Sequence, residues 1–331
     1  MKVLVTGGAG YIGSHVVRQL AEAGHDIVVL DNLSTGYRWA VTAGELVIGD
    51  LSNEADIDQV FSNHRFEAVL HFAANIVVPE SVSNPLKYYG NNTRNTLNLL
   101  KAVDKYKVPC MVFSSTAAVY GMPEQTVLTE DLPLAPINPY GASKMMSERM
   151  ITDLAAASGL NYVVLRYFNV AGANPDGLLG QATPEATHLI KVACECVTGQ
   201  RDGMSIFGTD YDTSDGTCVR DYIHVEDLAS AHVMALDYMA NGGESKIMNC
   251  GYGRGFTVRE VIDVVRKQSG VDFPVTEVGR RAGDPAALMA DNALIKKTLG
   301  WQPAYDDLET IVGTALAWEA IWQKKKAEAG Q

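Results

Sequence analysis

Long apolar runs are missing from this chain of 331 residues. No stretch approaches about eighteen uninterrupted apolar residues, which excludes a conventional membrane-spanning helix. Positive charge is scarce as well. Lys and Arg number 27 against 39 Asp and Glu, a net charge of −12, which argues against nucleic acid or an anionic membrane as partner. A local cluster of arginines could still receive a small anion. The five cysteines (Cys110, Cys194, Cys196, Cys218 and Cys250) show neither a CxxC pair nor the Cys/His spacing of a metal site. They are expected to be reduced, buried thiols of a cytoplasmic protein, with no metal bound. A secretory signal needs a longer apolar region than MKVLVTGGAG and a cleavage site, so this start is expected to be folded structure. Internal repeats and low-complexity segments are absent too.

What is present is the mix of a globular protein, 47% hydrophobic and 20% charged. The length suits two lobes or one enlarged α/β domain. Short apolar runs at 2–6, 27–31, 45–50, 68–73, 109–115 and 161–168 predict buried parallel strands. Helical patterns fit 12–23, 53–63, 84–106 and 140–157. This alternation predicts an α/β fold, a doubly wound parallel sheet of Rossmann type over residues 1–170. Beyond residue 170 the texture changes to AGANPDGLLGQATPEA and then to shorter elements. These are a helix at 185–199, a strand at 218–223 and helices near 226–240, 257–268 and 307–325. Residues 171–331 are therefore expected to form a smaller α/β lobe over the sheet's carboxyl edge, with segments near 218–240 returning to the first domain.

GGAGYIG (7–13) follows the first strand and opens the first helix. Gly8, Gly10 and Gly13 satisfy G-x-G-x-x-G, and Gly7, Gly10 and Gly13 satisfy G-x-x-G-x-x-G. A pyrophosphate requires such a tight turn, bare backbone and a helix N-terminus aimed at it. The second strand ends at Asp31, where a carboxylate accepts hydrogen bonds from an adenosine ribose and repels a 2′-phosphate, so NAD is expected rather than NADP. Asp50 closes the third strand within reach of an adenine edge.

NPYGASK (138–144) puts Tyr140 and Lys144 one helical turn apart. The preceding strand ends in SST (114–116), a hydroxyl at the sheet's carboxyl edge. A free phenol has a pKa of about 10, and bringing it towards 7 takes about 4 kcal/mol of preferential phenolate stabilisation. An ammonium and a positive nicotinamide ring nearby both act in that direction, which makes Tyr140 the expected base and Lys144 its activator.

These segments resemble the extended short-chain dehydrogenase/reductase superfamily and, within it, the UDP-glucose 4-epimerase family. The matching blocks are TGGAGYIGSH (6–15), DNLSTG (31–36), PESVSNPLKYYGNN (79–92), FSSTAAVYG (113–121), PYGASK (139–144), LRYFNVAGA (165–173), FGTDY (207–211) with TSDGTCVRDYIHVEDLA (213–229), and RRAGDPA (280–286). The resemblance implies cofactor contacts from Tyr11, Ile12, Asp31, Asn32, Leu33, Ser34, Thr35, Gly36, Asp50, Leu51, Phe72, Ala73, Ala74, Asn91, Thr116, Tyr140, Lys144 and Phe168. It implies nucleotide-sugar contacts from Thr116, Tyr140, Asn169, His188, Leu189, Arg220, Arg281, Asp284 and Leu288. Two arginines suit a diphosphate, and Asp284 suits a ribose hydroxyl. His224 reads as a satisfied core histidine. The chain departs from the family pattern at Ile76, where a lysine is frequent, at His188, where Asn is frequent, and at Leu288, where an aromatic is frequent.

The superfamily hosts several reactions, so the fold does not choose among them. Carbon 4 of a hexose has no acidified hydrogen, which makes transient oxidation to a 4-keto sugar the accessible route to inversion. A 4,6-dehydratase normally follows the active-site Thr with Asp-Glu, whereas Thr116 is followed by Ala117 and Ala118. A keto-sugar reductase using NADP conflicts with Asp31. A non-enzymatic NAD-sensing protein commonly lacks the Tyr or the Lys, and both are kept here. The resemblance thus implies inversion of UDP-glucose and UDP-galactose, with a UDP-N-acetylglucosamine 4-epimerase as the alternative. It also implies a homodimer joined through the 84–106 and 140–157 helices.

Overall fold

The computed structural model describes residues 1–281 and 283–328. Seven parallel strands form the main sheet, in the order Lys246–Cys250, Asn161–Tyr167, Cys110–Thr116, Ala68–His71, Lys2–Thr6, Asp26–Asp31, Glu45–Ile48. Successive side chains of a strand point to opposite faces. Val3 and Val5 accordingly pack with Val16, Val17 and Leu20 of the Tyr11–Glu22 helix and with Leu228 of the Val225–Ala240 helix. Leu4 packs with Ile57, Val60, Leu99 and Ile151 from three helices on the other face. The strand order reverses between Lys2–Thr6 and Ala68–His71, which pair in register from Val3 with Ala68 to Thr6 with His71. A crevice opens at the carboxyl ends of strands flanking such a reversal.

Several elements differ from the sequence-based expectation. The helix expected over 84–106 consists of Pro85–Tyr88 and Asn95–Lys105 joined by a π-helical turn, Tyr89–Arg94. The helix expected over 185–199 starts only at Leu189 and ends at Val197. The strand expected over 218–223 divides at Asp221 into Val219–Arg220 and Tyr222–His224. Asp221 is fully buried and its carboxylate accepts the N–H groups of Tyr252 at 3.0 Å, Gly253 at 2.9 Å and Ala290 at 3.1 Å. Holding that carboxylate turns the backbone, so the two halves serve different sheets. Lys246–Cys250, deep in the second half of the sequence, is the outermost strand of the main sheet and pairs with Asn161–Tyr167.

The remaining elements stand over the carboxyl edge. Met204–Phe207 pairs with Val275–Val278, and a four-stranded sheet joins Phe256–Thr257, Val219–Arg220, Ala287–Ala290 and Val127–Leu128. The Leu308–Glu328 helix runs along this side and packs against the Val258–Ser269 and Leu189–Val197 helices. His224 is buried; its ring accepts the Glu226 N–H at 3.1 Å and meets Thr314 Oγ1 at 3.0 Å. The five cysteines are buried free thiols.

Candidate functional site

One cleft of about 1250 Å³ runs along the carboxyl edge of the main sheet and is walled on its far side by the smaller elements. Every residue expected to contact cofactor or substrate lines it, apart from Leu33 and Lys144. Leu33, at φ 57, is held by its N–H to Asp31 Oδ1 at 2.8 Å. Lys144 lies just beneath the cleft.

At one end lie the glycines. A Cβ on Gly13 would sit 2.2 Å from the Gly7 carbonyl oxygen, and one on Gly7 would sit 2.5 Å from Ala73 N. Gly7 also has φ 74, so neither position accepts a side chain. The Tyr11–Glu22 helix starts at Gly10 with no side-chain cap and no acidic residue in its first turn. Its first N–H groups therefore face the cleft unpartnered by side chains, as an anion requires. Asp31 is buried, and burial raises its pKa against the hydrogen bonds it accepts from Leu33 and Ala9 N–H. Each of its oxygens accepts one backbone N–H and keeps a lone pair for a further donor. Burial also opposes the charge of Asp50, yet hydrogen bonds from Asn32 and Ser52 outweigh it and hold that carboxyl below its usual range. Bare backbone, open helix N–H groups and a carboxylate at the second strand's end fit a dinucleotide such as NAD.

In the middle lies the hydroxyl group cluster. Asn138 caps the Pro139–Ser158 helix through Gly141 N at 2.9 Å, and Pro139 occupies its first turn. A Cβ on Gly141 would lie 2.4 Å from the Ala118 carbonyl oxygen, so this helix start presses directly on the turn that follows Thr116. Tyr140 is buried beside Thr116 as a result. Burial, then the neighbouring Tyr167 and Tyr88, push the Tyr140 phenol above its ordinary pKa, and a Thr116 hydrogen bond opposes them. Lys144 Nζ donates to the Ser114 carbonyl oxygen at 2.9 Å and sits 4.8 Å over the Phe113 ring. Its burial lowers it to about 8, against the pull of Glu148. In the protein by itself burial raises the pKa of the Tyr140 phenol, so the expected base form calls for both charges named for it, the Lys144 ammonium and a positive nicotinamide ring.

At the far end, Arg220 Nη2 pairs with Asp284 Oδ1 at 2.6 Å, and the Arg281 guanidinium lies 3.7 Å over the Phe207 ring. Phe207 was not singled out by the sequence, although it opens the FGTDY block. His188 precedes the Leu189–Val197 helix, and its Nδ1 accepts from Gln181 Nε2 at 2.9 Å. That contact puts the ring proton on Nε2, and burial keeps the imidazole neutral. Leu288 packs against the cluster of Ala117, Val119, Tyr120 and Leu128, in the segment that follows Thr116, and lines the cleft. The π-helical turn was missed as well. It brings Asn91 to the cleft and lets Asn92 hold both Asn75, through N–H to Oδ1 at 2.8 Å, and Ser143 at 3.0 Å. The run Gly90-Asn91-Asn92, weak helix formers inside a helical pattern, was its only sequence signal.

Residues 3–251 match the model of the NAD dependent epimerase/dehydratase family. Over 330 residues the chain is 56% identical to a UDP-glucose 4-epimerase of Azospirillum brasilense, covering 99% of this chain and 95% of that one. The crystal structure of UDP-glucose 4-epimerase from Brucella ovis in complex with NAD superposes with a TM-score of 0.93 at 46% identity, covering 96% and 97% of the two chains. The UDP-Glc/GlcNAc 4-epimerase of Campylobacter jejuni gives a TM-score of 0.86 at 52% identity, covering 97% and 99%.

Proposed function

Since this chain belongs to the NAD dependent epimerase/dehydratase family, we propose that it interconverts UDP-glucose and UDP-galactose by inverting carbon 4 of the sugar. The observation that carries this reading is one cleft lined by a glycine cradle, by Thr116 and Tyr140 with Lys144 beneath them, and by the Arg220 and Asp284 pair.

NAD, when bound, supplies a positively charged ring that accepts the hydride of carbon 4 and later returns it. Tyr140 Oη takes the proton of the sugar's 4-hydroxyl and returns it to the same oxygen once the hydride has come back to the opposite face of carbon 4. Thr116 Oγ1 orients the phenol and the sugar hydroxyl. Lys144, fixed by the Ser114 carbonyl, holds positive charge beneath Tyr140 and favours its phenolate. Arg220 and Arg281 grip the diphosphate, while Asp284, His188, Leu189 and Asn169 hold the nucleoside end. The sugar is left free to turn over about its diphosphate link. No residue beside Thr116 supplies the acid or base that elimination would need, since Ala117 and Ala118 follow it.

Incubation of the purified chain with UDP-galactose should yield UDP-glucose, and denaturation should release NAD(H) near one per chain. Release of NADP(H), or no conversion with NAD added, would overturn the reading. Arg220→Ala and Arg281→Ala should each raise KM for the UDP-sugar by about tenfold to a hundredfold, as about 1.5–3 kcal/mol per charge-assisted bond requires, with kcat little changed. Unchanged KM in both variants would put the diphosphate elsewhere.

UDP-glucose and UDP-galactose form the main pair, and UDP-N-acetylglucosamine is a weak substrate. The Campylobacter jejuni relative, named for both sugars, supports the second part. Leu288 leaves more room than a tyrosine, but it gives a desolvated amide no hydrogen-bond partner. Leu288→Tyr should suppress turnover of the N-acetyl sugar and spare the main pair. A kcat/KM for the N-acetyl sugar at or above that for UDP-glucose would reverse the ranking.

The working form is a cytoplasmic homodimer. Val82 and Leu86 are 63% and 79% exposed, and Leu97 and Met146 are also exposed, all on the helices between 78 and 105 or on Pro139–Ser158. Among the described residues no helix is long and apolar enough to cross a membrane.

A further inference from the structure

The C-terminal helix carries two tryptophans that touch both walls of the cleft. Trp318 and Trp322 are buried, and Trp39, on the loop after the second strand, lies 5.7 Å from the first and 5.5 Å from the second, centroid to centroid. Tyr37 stacks on Trp39 at 5.5 Å and meets Trp322 edge-on at 5.3 Å. Lys325 Nζ caps the group, 4.7 Å over Trp39 and 5.2 Å over Trp318.

The cofactor-side loop is tied to these rings at one end and to the glycine cradle at the other. Tyr37 N donates to the Ala9 carbonyl at 3.0 Å, and a Cβ on Gly36 would lie 2.8 Å from Ala9. Between Asp31 and Tyr37, Asn32, Ser34, Thr35 and Gly36 face the cleft. The substrate-side loop, residues 172–188, has little regular structure of its own. It is tied to the same rings by Trp318 Nε1 to the Gln181 carbonyl at 3.2 Å and Tyr37 Oη to the Ala182 carbonyl at 3.2 Å. Contact there is close, since a Cβ on Gly180 would lie 2.3 Å from the Trp318 ring. Gln181 in turn fixes His188.

We propose that Tyr37, Trp39, Trp318 and Trp322 form a clasp that holds the adenosine-side loop against the substrate-side loop, and that bound NAD escapes only when the clasp opens. The inference rests on the reading of the cleft as the NAD site. Trp39 is a positioning residue: it reaches the dinucleotide through the loop that carries Ser34, Thr35 and Gly36. Its place also makes it a mild probe, because it is 37% exposed and its truncation leaves Trp318 and Trp322 packed on each other at 6.3 Å.

The test uses the full chain purified with its NAD. Retained NAD is followed over time after transfer to nucleotide-free buffer, for the parent chain, Trp39→Ala, Trp39→Phe and Trp322→Ala. Trp39→Ala and Trp322→Ala should each release NAD about tenfold faster, as the loss of two or more ring contacts implies. Their kcat should be unchanged when NAD is supplied in excess, and Trp39→Phe should restore slow release. Equal release from the parent chain and both alanine variants overturns the clasp while leaving the proposed reaction intact. Faster release that Trp39→Phe does not restore, with a matching fall in the Tm of the NAD-free proteins, overturns it as general loosening. A parent chain that retains no NAD overturns the clasp together with the retained-cofactor reading.

Discussion

Replacing Tyr140 by Phe is expected to lower kcat by about 10²–10⁴, the range of a lost general acid/base, with UDP-sugar affinity nearly unchanged. The substitution removes one oxygen from a buried ring and keeps its shape, so packing against Thr116 and the Ala118 turn survives. The size of the effect follows from the surroundings. Tyr140 is held protonated by burial when the protein is alone, so its proton leaves readily only when charge arrives beside it. A water in its place would have neither the position nor the matched acidity. Steady-state kcat with both hexoses, set beside UDP binding by calorimetry, separates the two quantities. Near-normal turnover would assign proton transfer to another group.

Lys144→Met is expected to cost turnover on the same scale and to reshape the pH profile on both sides. Without the ammonium, the pH at which the Tyr140 phenolate forms moves up, so activity sets in later. In the parent chain the ammonium itself is lost as pH rises through about 8, and that decline should vanish in the variant. Stability should change in the opposite sense. The pKa of Lys144 falls from the ordinary 10.5 to about 8 on folding, so the folded state disfavours its charge by about 3 kcal/mol. That penalty is fully present below pH 8 and disappears as pH rises past 10.5. The Tm of the NAD-free parent chain should therefore gain on that of Lys144→Met between pH 7 and pH 10. Parallel Tm curves over that interval would mean that folding leaves the pKa of Lys144 at its ordinary value.

Features written in adjacent residues were legible in the sequence. The glycine run, Asp31 at a strand end, and the Asn-Pro-Tyr start of the 139–158 helix each carry their geometry in a few neighbouring positions, and the fold brings them to one cleft. Features set by partners far along the chain were not legible. Lys246–Cys250 reads as KIMNC, no continuous apolar run, because Asn249 is buried on hydrogen bonds to Tyr120 and the Leu128 carbonyl, partners far away in the chain. Met204–Phe207 finds its partner some seventy residues later, at Val275–Val278. Nothing near Trp39 announces Trp318, and nothing near Lys144 shows that its first partner is the Ser114 carbonyl. Asp221 looks like any polar residue in a strand until three backbone N–H groups converge on it.

The π-helical turn Tyr89–Arg94 has a bearing on how the chain tolerates change in length. Such a turn accommodates one residue more than regular helix would between the same two ends. Deleting Gly90 would let Pro85 to Lys105 run as one unbroken α-helix, with more regular hydrogen bonding and a weak helix former gone. The two ends would keep their places, while the residues between them would fall into the regular spacing of about 100° each and lose the positions the wide turn gives them. Asn91 would then turn from the cleft, and Asn92 would release Asn75 and Ser143. The shortened chain would be the tidier helix and the poorer host for its ligands, so the surplus residue is kept for what it aims, at the expense of regularity.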